Sequence, residues 1–232
     1  MTQHILPAHH TQIMKKTLAL IITAFSATLF TSCSDNNDAT YSNVVAELCE
    51  LHTAAQISDY IINDRNERLP FGKPITLTWA SQADTIYRAL LYYDKPAAST
   101  TITPLSLDLV PVLAPYAKDK VKGWQEMNDA VTLRSAWISK NAKYLNLDIG
   151  MKSGTTTDNK KHVIALVADT TIAEGTHRHH KFHFCHNQNG IPEFYTTYSY
   201  ISIPITDMPQ GDTISINIPT GKGWEQKTWV KE

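Results

Sequence analysis

The sequence predicts an all-β protein, built as a small OB-like barrel followed by an antiparallel β-sandwich. Three observations carry this prediction. Apolar and polar residues alternate with period two through most of the chain beyond residue 40, the pattern of strands with one buried face. Turn-forming groups such as Asn63-Asp64-Arg65-Asn66, Gly72-Lys73-Pro74 and Asn187-Gln188-Asn189-Gly190 recur at strand-length intervals. Helical spacing is not sustained for three turns anywhere past residue 40, apart from an ambiguous stretch at 81–93.

In chain order, the first element is an address. Met14-Lys15-Lys16 precedes an apolar run of 13 residues, Leu18 to Phe30, and then Thr31-Ser32-Cys33. The run is shorter than the ~20 residues a membrane-spanning helix needs, and its basic start and small-residue end fit a cleaved export signal. Residues 1–32 therefore read as a signal peptide, with 1–13 an upstream mis-start, and Cys33 as the acylated first residue of a lipoprotein. Ser34-Asp35-Asn36-Asn37-Asp38 follows as a polar tether over 33–40 and is similar to the acidic signal that sends lipoproteins to the outer face of the outer membrane. Removal of the signal takes away Lys15 and Lys16 and leaves 19 basic against 22 acidic residues. That balance argues against nucleic acid as a partner, because displacing counterions from phosphates requires a basic face.

Residues 41–118 read as the OB-like domain. Strands are expected at about 41–51, 57–62, 75–80 and 85–93, with a fifth at 100–112 that Pro104 and Pro111 confine to an edge or break. Pro111, Pro115 and the charged Lys118-Asp119-Lys120 mark a boundary near residue 120. Residues 122–232 read as the sandwich, with seven strands. Val131, Leu133, Ser135 and Trp137 share a face of the first; Leu145, Leu147 and Ile149 share a face of the second. Further strands cover 162–167, 178–186, 195–205, 214–218 and 224–230. Cys49 and Cys185 fall in different domains and are expected to be separate thiols.

A family resemblance rests on a series of short motifs. Ser135-Ala136-Trp137-Ile138, Tyr144-Leu145-Asn146-Leu147, Lys161-His162, Phe182-His183-Phe184-Cys185-His186-Asn187 and Ile201-Ser202-Ile203 occur in that order. Together they resemble the NigD-like lipoproteins of Bacteroidota, over most of residues 33–230. The resemblance implies an acylated cysteine, an N-terminal OB-like domain and a C-terminal β-sandwich, and it associates the chain with bacteriocin immunity. One departure is Ile191, where the pattern leads us to expect an acidic residue.

Two constellations are candidates for chemistry. On the strand at 178–186, His179, Lys181, His183 and Cys185 share one face, and alternate imidazoles lie ~6 to 7 Å apart along a strand. His179, His183 and Cys185 are thus candidate ligands for zinc or copper. His186, on the face of Phe182 and Phe184, is expected to hydrogen-bond a backbone group in the turn that follows and fix the end of its strand. Phe194, Tyr198 and Tyr200 fall on the other face of their strand from Ile201, Ile203 and Ile205. If the isoleucines are core, these aromatics form a strip for a glycan or an envelope protein, and the barrel face is a second surface for recognition. No G-x-S-x-G, P-loop, H-E-x-x-H or G-x-G-x-x-G occurs, so the sequence is read as a binding module with no enzymatic activity and no cofactor beyond the lipid at Cys33.

Overall fold

The computed structural model describes residues 44–94, 99–156, 158 and 160–232. The signal, Cys33 and the tether lie outside the described residues.

The first lobe is a five-stranded antiparallel sheet of β1 (Val44–His52), β2 (Ser58–Asn63), β3 (Arg68–Ile75), β4 (Ile86–Asp94) and β5 (Thr103–Leu109), in the order β3-β2-β1-β4-β5. Its two ends meet. Phe71 and Ile102 form a parallel bridge in which Ile102 N–H donates to the Pro70 carbonyl at 2.9 Å and Gly72 N–H to the Ile102 carbonyl at 3.2 Å. The sheet thereby curls into a partly open barrel around Leu51, Ile61, Phe71, Leu91, Tyr93 and Ile102. One expectation is corrected. The strand anticipated at 75–80 lies at 68–75, so Gly72-Lys73-Pro74 is inside a strand rather than a turn. Proline breaks a ladder by lacking an N–H, but β3 has a full ladder only with β2, and at the closing bridge Pro70 serves as an acceptor.

The second lobe follows the expected strands closely. It holds β6 (Pro115–Ala117), β7 (Thr132–Ile138), β8 (Tyr144–Ser153), β9 (Val163–Glu174), β10 (His177–Asn187), β11 (Tyr195–Pro204), β12 (Thr213–Thr220) and β13 (Gly223–Val230). Because β6 pairs with β9, the chain leaves the barrel sheet between Leu109 and Pro115, around Pro111 and before the expected boundary near residue 120. One sheet, β11-β8-β7, is antiparallel; the other, β13-β12-β10-β9-β6, is mixed, with β10 parallel to β12 and β6 parallel to β9. Strand pairing of this kind leaves no trace in alternation, which reports only which face is buried. Between the sheets lie Leu145, Leu147, Ile149, Phe182, Phe184, Ile201, Ile203, Ile214, Ile216 and Ile218. A bulge at Leu133/Ser135 resets the alternation of β7, so Leu133, Ala136 and Ile138 face the core, and Ser135 and Trp137 do not follow Leu133 as the sequence suggested. Cys49 and Cys185 are free thiols buried in different clusters.

Barrel and sandwich belong to one compact unit. Their contact is polar. Arg88 of β4 is buried and donates through Nη1 and Nη2 to both carboxylate oxygens of Asp64, at 2.6 and 2.7 Å. Its Nε donates to Ser202 Oγ of β11 at 3.0 Å, Nη2 also reaches Asn146 Oδ1 of β8 at 3.1 Å, and the guanidinium lies 4.2 Å from the centre of the Tyr144 ring. Beside it, Lys143 and Tyr144 donate to the two oxygens of buried Glu50 on β1. Burial alone would push Glu50 up, but these hydrogen bonds outweigh it and hold the carboxyl below its ordinary range.

Candidate functional site

The isoleucines of β11 are core, so the opposite face of that strand points outward. Ser202, Tyr200 and Tyr198 follow one another along it, paired with Asn146, Asp148 and Gly150 of β8. Tyr198 lies flat on β8 because Gly150 has no side chain; a Cβ there would sit 2.6 Å from the tyrosine ring. Arg134, at the bulge of β7, stacks on Tyr198 with its guanidinium carbon 4.0 Å from the ring centre. Arg134 Nε and Nη2 both donate to one oxygen of Asp148, Oδ2, at 3.0 and 2.7 Å. Tyr200 meets Trp137 edge to face, with ring centres 6.0 Å apart.

This face forms one wall of a cleft of about 480 Å³. Arg134, Tyr198 and Tyr200 stand on the sandwich side; Leu90 and Tyr92 of β4 and Asp108 and Leu109 of β5 stand on the barrel side. Tyr92 and Tyr198 are 38% and 47% exposed, so their rings remain available to a ligand. Of the three residues expected to form the strip, the cleft brings together Tyr198 and Tyr200. Phe194 precedes β11, is largely exposed and does not line the cleft. The sequence reading missed Arg134, Asp148, Tyr92 and Asp108. Asp148 carried a signal, being an acidic residue between the core positions Leu147 and Ile149.

The histidine-rich strand is built differently from the metal site proposed for it. His179 Nδ1 lies 3.1 Å from Glu174 Oε1 and its Nε2 2.7 Å from Ser215 Oγ. His183 packs between Trp124 and Trp224, with ring centres 5.2 and 5.9 Å away, and its Nε2 is 3.7 Å from Asp169. Cys185 is fully buried beside Met127, and burial pushes its thiol up to about 11. The segment crossing this face at 121–127 covers His183 and Cys185, leaving the three candidate ligands with separate structural partners. Among the described residues, no group of three or more His, Cys, Asp or Glu side chains is placed to hold a metal ion.

His186 is fully buried and bonds a backbone group, as expected, but in the neighbouring segment rather than in its own turn. Its Nδ1–H donates to the Asp129 carbonyl at 3.0 Å, which leaves Nε2 to accept from His162 Nδ1–H at 3.0 Å. His162 Nε2 then has no partner although it is buried. Burial lowers the pKa of both rings, and for His162 the nearby His186 lowers it further.

A two-lobed all-β chain, with a barrel joined to a mixed sandwich and an aromatic cleft between them, is the class this structure defines. The family model for the NigD-like C-terminal beta sandwich domain matches residues 115–231, half of the chain, and the protein belongs to that family. No curated protein matches it by sequence. The chain is similar in structure to a NigD-like immunity protein from Bacteroides caccae ATCC 43185, at 19% identity and a TM-score of 0.58, covering 81% of this chain and 97% of that one. It is also similar to a protein from Parabacteroides distasonis ATCC 8503 whose name reads toxin-related, at 16% identity and a TM-score of 0.60, covering 81% and 92%. A third, from Bacteroides fragilis NCTC 9343, whose name reads lipoprotein, matches at 14% identity and a TM-score of 0.52, covering 82% and 98%. At these identities the likeness is one of fold.

The histidine pair makes stability depend on pH with a definite sign. Both rings have folded-state pKa values below the unfolded value of about 6.5, so the unfolded chain binds more protons and stability falls as pH drops below about 6.5. In urea unfolding, the wild-type protein is expected to lose more stability between pH 7 and pH 5 than a His162→Gln variant. Equal losses in both would show that the pair does not stay neutral in the folded state.

Proposed function

We propose that this chain is an outer-membrane lipoprotein, anchored by acylated Cys33 and exposed at the cell surface, which binds an envelope glycan or protein in the cleft and catalyses no reaction. The observation that carries this reading is the cleft itself, where tyrosines from two lobes face a shared space with few charges. Membership of the NigD-like family and the lipoprotein name of one structural neighbour support the anchor. Among the described residues, no helix is long and apolar enough to cross a membrane. One structural neighbour carries the name NigD-like immunity protein, which supports including envelope proteins among the ligands screened.

Metabolic labelling with a fatty-acid probe is expected to tag the protein in cells and to fail in Cys33→Ala; labelling that survives the substitution contradicts the anchor. Protease treatment of whole cells then separates the outer from the periplasmic face. For the cleft, a screen of envelope glycans and proteins is run with the wild type beside a Tyr198→Ala, Tyr200→Ala variant. At least one hit is expected to bind the variant tenfold or more weakly, the loss of two aromatic contacts. If every hit binds both forms equally, the cleft is not the recognition surface.

A further inference from the structure

Asp148 is the least satisfied group on the cleft-side face. It lies between Tyr200 of β11 and Ser135 of β7, and its side chain is only 8% exposed beside Arg134. Both hydrogen bonds from Arg134 fall on Oδ2, and Oδ1 is buried with no donor. A two-pronged arginine clamp would have served both oxygens. A buried acceptor left unmet is costly, and more so when it is charged, so this carboxylate, which lies behind the cleft-lining Arg134 rather than in the lining itself, is short of a donor.

Arg134 is the residue that joins Asp148 to the lining of the cleft. Tyr198 is pinned across Gly150, whereas the Arg134 side chain is 47% exposed on a bulged edge strand. For a ligand to reach Oδ1, Arg134 must shift, and its guanidinium, which has five N–H donors in all, then stays within reach of the same ligand. The donor needed is therefore one whose neighbour is an acceptor, and two adjacent hydroxyls meet that demand. The cleft carries no surplus charge to favour an anion. Its one basic residue, Arg134, is already paired with Asp148, and Asp108 on the opposite wall adds a carboxylate. The tyrosine rings offer flat apolar surfaces for the C–H faces of a sugar.

We propose that Asp148 and Arg134 form the polar centre of a site for a neutral saccharide with vicinal hydroxyls, one hydroxyl donating to Asp148 Oδ1 and its neighbour accepting from Arg134. This rests on the cleft being the recognition surface, and it selects glycan over protein as the ligand.

The test uses the purified protein and four immobilised polysaccharides: a (1→6)-linked mannan, a (1→4)-linked glucan, a (1→3)-linked glucan, which has no vicinal hydroxyl pair within its chain, and the acidic polygalacturonate. A panel of envelope proteins runs alongside. Binding to the mannan or the (1→4)-glucan is expected, with affinity at least tenfold weaker for the other two polysaccharides. Periodate, which cleaves vicinal diols, is expected to abolish binding of the treated probe. Asp148→Asn and Arg134→Gln are each expected to weaken binding about tenfold; Arg134 is exposed enough that its loss leaves the fold intact, as circular dichroism can verify. Failure to bind any polysaccharide, capture of proteins alone, or equal binding of the (1→3)-glucan overturns the proposal. If binding is lost in the Tyr198→Ala, Tyr200→Ala variant but unchanged in both polar variants, the cleft stands and the diol site falls.

Discussion

The structure turns on one buried guanidinium. Arg88 leaves the barrel strand β4 and ends among groups from both lobes, with Asp64 from the barrel, Asn146 and Ser202 from the sandwich, and the Tyr144 ring against its face. Burying two charges is unfavourable unless their hydrogen-bonding groups are met, and here each guanidinium nitrogen has a partner. The sandwich-side acceptors are themselves tied, since Ser202 Oγ donates to Asn146 Oδ1 at 2.7 Å and Asn146 Nδ2 donates to Asp64 at 3.3 Å. Such a cluster is satisfied in one arrangement of the lobes and broken in others, so it defines their placement more sharply than an apolar contact of the same size.

The cleft follows from the same strands. On β11, Ser202 belongs to the lock, and two and four residues earlier Tyr200 and Tyr198 belong to the cleft; on β8, Asn146 leads in the same way to Asp148 and Gly150. Moving outward along this face, the sheet changes from interlobe contact to open surface within a few strand positions. The walls of the cleft are consequently held by the interface, and a ligand meets a surface already formed, at little ordering cost. Arg134 stands on a bulge of the edge strand β7, away from the lock.

Much of this was legible in the sequence, for identifiable reasons. The alternation of Leu145, Leu147 and Ile149, of Ile201 and Ile203, and of Ile214, Ile216 and Ile218 located the sandwich core, because burial of one strand face imprints period two. It also put Tyr198 and Tyr200 on the outer face. Alternation does not say which strands are neighbours, so the parallel pairing of β10 with β12 was hidden, as was the meeting of Arg88 with residues more than fifty positions away. Bulges erase the pattern locally, which is why Arg134 was not placed beside Asp148. The histidines of β10 misled for a related cause: spacing on one strand was right for a metal, but the partners that claim His179 and His183 come from Glu174, Ser215, Asp169 and Trp124. Asp148 was the most accessible of the missed residues, since an acid flanked by Leu147 and Ile149 at a strand centre calls for a partner.

Through the Arg88 cluster, barrel and sandwich are held as one cooperative body. Equilibrium unfolding in urea of the purified protein and of Arg88→Ala, followed by both circular dichroism and tryptophan fluorescence, tests it most directly. A single transition is expected in the wild type, seen alike by the two probes, and in Arg88→Ala a loss of about 3–5 kcal/mol with the two probes separating as the lobes come apart. A loss below about 1 kcal/mol with one coincident transition would contradict it.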